Sequence, residues 1–102
     1  MGNLTYGSSL RIHLDDWTLA HVQAAIGVKL HIRDSFYLTL KHDIDGDGGR
    51  GTVWIHPCVP LLFTFTAERW RPLNSLWVEA LVRSASTPDG MTIVPEPMPL
   101  LD

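Results

Sequence analysis

The run Asp43-Ile44-Asp45-Gly46-Asp47-Gly48 has the residue types and spacing of the first half of a calcium loop. Carboxylates stand at loop positions 1, 3 and 5, and a glycine at position 6 allows the sharp turn. The second half departs from that pattern, because position 12, where a bidentate Glu belongs, is Trp54. Asp43, Asp45 and Asp47 are therefore candidate calcium ligands that need further oxygens from carbonyls, water or a distant carboxylate; a solvated hairpin loop built from the same turn-forming residues is the simpler reading. His56-Pro57-Cys58 places an imidazole near a thiol, but a catalytic pair needs the two in contact and a third group orienting the histidine. His42, His56 and Cys58 lack the paired-ligand spacing of a zinc site. Arg69-Trp70-Arg71, with Lys41, is a basic-aromatic group that could stack on a base or clamp a phosphate. The simpler reading is a strand-to-helix connection whose Trp packs on the edge of the core.

The elements that must position these residues follow from hydrophobic period and cap chemistry. Leu4-Thr5-Tyr6 before Gly7-Ser8 reads as the first strand of a hairpin with a type II′ turn. In the return strand, Leu10, Ile12 and Leu14 alternate with Arg11 and His13. Asp15-Asp16 cap a helix from Trp17 to about Ile32, with Leu19, Val22, Ile26 and Leu30 at helical spacing. His21 and His31 lie nearly opposite in phase on that helix and so are not a ligand pair. Gly27 costs the helix about 1 kcal/mol against alanine and is read as a mark of close packing. Three alternating strands follow, around Phe36-Leu38-Leu40, Val53-Ile55 and Leu61-Phe63-Phe65, with Pro57 and Pro60 between the last two. Asn74 caps a second helix carrying Trp77, Ala80, Leu81 and Ser84 on one stripe, and Pro88-Asp89-Gly90 ends it. Met91–Val94 is a last short strand, and the prolines of the tail keep it at the surface or disordered. The expectation is an α+β domain: an antiparallel sheet in the order ββαβββαβ, with two helices packed on one face. Residues 1–96 form the single domain and 97–102 a C-terminal tail.

If Leu38, Ile55 and Phe63 point inward, the other face carries Tyr37, Thr39, Thr52, Trp54, His56, Leu62 and Thr64, with Arg11, His13, Lys41 and Thr66 around them. A Trp, a Tyr and a Leu among threonines make a semi-apolar surface of the kind that partners cover. A symmetric homodimer is the simplest such partner. Good strand formers exposed without consequence are the plain alternative.

Composition narrows the classes. The chain has 102 residues, 45% of them hydrophobic and 19% charged, which excludes a disordered or fibrous protein. A domain of this size buries about two-thirds of its unfolded surface and needs no metal staple. Eight basic residues against eleven acidic ones give a net charge of −3, so the whole-chain field does not attract nucleic acid or an anionic membrane. The lone Cys58 cannot form an internal disulfide, which favours a reducing, cytoplasmic compartment. The first residues lack the pattern of a signal peptide, Gly7 stands where a myristoylation motif needs Ser or Thr, and no apolar run approaches the roughly 20 residues of a membrane span.

A resemblance runs in order along nearly the whole chain: Met1-Gly2, Tyr6-Gly7, Asp15-Asp16 with Leu19-Ala20-His21, Lys29-Leu30, Ser35-Phe36, Trp54-Ile55-His56-Pro57, Pro60-Leu61, Leu73-Asn74 with Trp77, and Pro95-Glu96-Pro97. On these residues the chain resembles a group of short, uncharacterised actinobacterial proteins, some of which carry the label ATP-dependent DNA ligase. Relatives in that group carry Ser where Cys58 stands, which the resemblance sets against a nucleophile there. A ligase needs a nucleophilic lysine in a Lys-x-Asp-Gly setting and a nucleotide-binding domain. Here Lys41-His42-Asp43 is followed by Ile44, and the length leaves no room for the additional domains. The expected function is a non-catalytic interaction module that self-associates through its open sheet face. The alternatives are a nucleic-acid-associated accessory protein using Arg69, Trp70, Arg71 and Lys41, or a small enzyme around His56 and Cys58.

Overall fold

The computed structural model describes residues 2–7, 10–40, 51–66 and 72–98. Its elements are β1 (Gly2–Tyr6), β2 (Leu10–Leu14), α1 (Asp16–His31), β3 (Phe36–Leu40), β4 (Gly51–Ile55), β5 (Leu61–Thr64), α2 (Ser75–Ser84) and β6 (Met91–Thr92). The class is α+β and the element order is the one read from the sequence. The strands, however, divide into two three-stranded sheets, β2-β1-β5 and β4-β3-β6, instead of one. Four of the six strands flank the two central strands, β1 and β3, and β6 runs parallel to β3 while the other pairs are antiparallel. Period-2 alternation says which side chains face inward and nothing about which strand is the neighbour, so one sheet and two have the same sequence signature. The last strand is also shorter than expected: Val94 N–H turns back to the Thr92 carbonyl at 3.0 Å, which ends the ladder.

Both helix starts are built by the residues expected to cap them. The Asp15 carboxylate accepts from Thr18 N–H (3.0 Å) and the Thr18 hydroxyl (2.6 Å), and Asn74 Oδ1 accepts from Leu76 N–H (3.1 Å). Helix α1 ends in a Schellman motif, with Arg33 N–H bonded to the Leu30 carbonyl (2.9 Å) and Asp34 N–H to the Lys29 carbonyl (3.0 Å). The left-handed residue of that motif is Arg33 (φ 60°), not the usual glycine. A Lys29–Asp34 ion pair of 3.0 Å closes over the same turn. Gly27 is a correction: it is exposed, and a methyl group added there would meet nothing within 4 Å, so it does not mark close packing.

One core serves both sheets. Leu4 and Ile12 from the first sheet join Phe36, Leu38, Val53, Ile55 and Met91 from the second, and Leu19, Val22, Ile26, Trp77 and Leu81 from the helices. Helix α1 packs on β1, α2 packs on β6, and the helices pack on each other. Gly2 lies where β1 passes close under α1: a Cβ there would stand 2.6 Å from Leu19 Cδ2 and 2.9 Å from the Thr64 carbonyl oxygen. Beside it the Asp16 carboxylate accepts from Thr66 N–H (3.1 Å) and the Thr66 hydroxyl (2.6 Å), tying the chain after β5 to the first turn of α1.

Candidate interaction face

The alternation of β3 and β4 puts Tyr37, Thr39, Thr52 and Trp54 on one side of the second sheet. The antiparallel register sets Tyr37 opposite Trp54 and Thr39 opposite Thr52. Tyr37 and Trp54 meet edge to face with ring centroids 4.8 Å apart, an arrangement the ring quadrupoles favour. They remain 50% and 44% exposed. The threonine pair is joined by a 3.2 Å hydroxyl contact, and Thr39 Oγ1 also donates to the Asp89 carbonyl at 2.8 Å. That bond holds the turn before β6, where Gly90 (φ 80°) lies against Tyr37; a Cβ there would stand 2.5 Å from the Tyr37 carbonyl oxygen. The aromatic pair therefore sits on a fixed platform, with β4 at the edge of its sheet among the described residues. The Tyr6 hydroxyl donates to the Trp54 carbonyl, linking the two sheets beside it.

Leu62 and Thr64 are exposed as expected, but they belong to β5 in the other sheet, in register with Thr5 and Asn3 of β1. The seven residues expected to share one face thus fall into two groups. His56 lies just beyond β4 and is half-buried. Its Nδ1 accepts from the backbone N–H of Cys58 at 3.0 Å, so this ring nitrogen is engaged by the peptide group while the cysteine is exposed. Lys41, the candidate calcium ligands Asp43, Asp45 and Asp47, and the Arg69-Trp70-Arg71 group lie outside the described residues. Among the described residues, no cluster of three or more His, Cys, Asp or Glu side chains is placed to hold a metal ion.

Sequence reasoning missed a second arrangement, at the helix starts. His21 is 0% exposed and lies between the rings of Trp17 and Trp77, at centroid distances of 4.4 and 4.5 Å. Its Nε2 accepts from Asn74 N–H (2.9 Å), and its Nδ1 lies 2.8 Å from the Trp17 carbonyl, so the ring carries its proton on Nδ1. Because Asn74 Oδ1 is committed to the cap, Asn74 Nδ2 faces outward, donating to Glu96 Oε2 and to the Pro97 carbonyl, each at 3.0 Å. Trp17 Nε1 donates to Glu96 Oε1 (3.0 Å) and Trp77 Nε1 to the Val94 carbonyl (2.9 Å). The segment expected as a plain surface tail is fastened across the two tryptophans. Two tryptophans near helix starts and a Pro-Glu-Pro segment were the available signals, but only the fold brings them together.

A domain family is defined over the same span as this fold. Residues 1–96 match the model of the family described as a domain of unknown function (DUF7882), and the chain belongs to that family. No curated protein and no solved structure matches the chain.

Proposed function

We propose that the chain is a non-catalytic interaction module that self-associates through the outer face of the second sheet. The observation that carries this reading is the half-exposed Tyr37–Trp54 pair, held edge to face across β3 and β4. Rigid aromatic side chains supply large contact area at little entropic cost, which is why interfaces are enriched in them. Support for a non-catalytic role comes from His56, whose Nδ1 is bonded to the Cys58 peptide group. A reducing, cytoplasmic setting fits the exposed, unpaired thiol of Cys58. The ligase label carried by some resembling proteins is not extended to this chain as an activity, since Lys41-His42-Asp43-Ile44 lacks the required glycine.

Sedimentation velocity across a concentration series tests the reading. The expected result is a monomer–dimer equilibrium that Tyr37→Thr and Trp54→Thr each shift toward monomer, while Leu62→Thr, on the other sheet, leaves it unchanged. Threonine keeps strand propensity, so the sheet itself is preserved. A strict monomer at millimolar concentration would refute self-association. Recovery of nuclease-sensitive partners in place of a dimer would favour the nucleic-acid reading that rests on Arg69, Trp70, Arg71 and Lys41.

A further inference from the structure

We infer that Trp17, Asn74 and Trp77 form a recognition groove for a proline-flanked glutamate peptide, and that the chain's own residues 94–97 occupy it in cis. The inference is independent of the sheet face. The groove presents N–H donors: the Trp17 and Trp77 indoles and both hydrogens of the Asn74 amide. Their orientation is supported from behind. Asn74 Oδ1 is held by Leu76 N–H and the Asn74 backbone N–H by His21, while His21 is wedged between the two indoles. A surface of fixed donors suits a segment rich in acceptors, and Pro95 and Pro97 have no N–H to satisfy. The contacts take the Val94 and Pro97 carbonyls and both carboxylate oxygens of Glu96. Indole donors reading carbonyls of a proline-stiffened strand is the physics by which aromatic grooves take polyproline segments, since such ligands are already extended and lose little entropy on binding. The glutamate adds a charge-assisted contact from two elements at once. A partner bearing such a segment would compete with the tail, whose tether gives it an effective concentration of roughly millimolar.

The test uses the full chain, wild type and Glu96→Ala, titrated with a fluorescent synthetic peptide of residues 94–100 and with the same peptide carrying Ala for Glu. Binding is followed by anisotropy and by the indole N–H resonances of Trp17 and Trp77. Glu96→Ala, with its own tail weakened, is expected to bind the glutamate peptide at least tenfold more tightly than wild type does. It is also expected to prefer that peptide at least tenfold over the alanine peptide. If Glu96→Ala does not fold, Glu96→Gln carries the same comparison. A folded variant that ignores both peptides, or binds them equally, overturns the inference. A wild-type dimer abolished by Glu96→Ala but not by Trp54→Thr would assign the groove to the tail of a second copy and overturn the partner reading.

Discussion

Arg33 occupies the position of the α1 Schellman motif where glycine is usual, at φ 60°. Holding an L-residue with a Cβ in that region costs about 1–2 kcal/mol, through the approach of Cβ to the following carbonyl. Arg33→Gly removes that cost but gives the unfolded chain more freedom, which returns about 0.4–1 kcal/mol. The net expectation is a gain of about 0.5–1 kcal/mol, since both bonds of the motif are already made by backbone groups that glycine retains. Loss of the arginine charge at the helix C-terminus works in the opposite direction. Arg33→Ala is the control for that loss, because it removes the charge and keeps a Cβ in the left-handed region. Urea unfolding of the two variants should therefore show equal slopes and a higher midpoint for glycine. In thermal melts the same difference is about 3–6 °C for a domain of this size. If the glycine variant is no more stable than the alanine variant, the helix does not end as described and the reasoning fails.

Three further outcomes follow from the same structure. Gly27→Ala, at an exposed helical position where a methyl group meets nothing, should raise stability by about 0.5–1 kcal/mol, measured as a midpoint shift in urea. Gly90→Ala should do the reverse, because the added Cβ meets the Tyr37 backbone at a positive φ; a loss of at least about 1–3 kcal/mol is expected, together with shifts in the Trp54 indole resonance. Long-range nitrogen-15 NMR of His21 should show a protonated Nδ1 and a bare Nε2, and the opposite tautomer would contradict the bond from Asn74 N–H.

What the sequence discloses here is what local chemistry decides. Asp15 and Asn74 are legible as caps because a short acceptor side chain at a helix start has its donors two or three residues away. The inward and outward faces of β3 and β4 are legible because the pleat enforces a period of two. Which strands pair is set by long-range packing, so the division into two sheets, and with it the separation of Leu62 from Trp54, has no local signature. Arg33 in a glycine position escapes notice for a different reason: backbone bonds and the Lys29–Asp34 pair enforce a conformation that the residue itself disfavours. The tail contacts depend on Trp17, Asn74 and Glu96 meeting from three distant parts of the chain.

The two sheets share a consequence for the order in which the chain can fold. Each combines a local partnership, β1 with β2 or β3 with β4, with a third strand drawn from far along the sequence, β5 in one case and β6 in the other. The local pairs close small loops and can form early, whereas the distant ones must first offset the entropy of a large loop. During synthesis the first sheet therefore waits for β5, and the second waits for β6. Until then the edge of β3 that β6 will cover is unpaired beside the aromatic pair, the kind of edge on which strands of other chains can add.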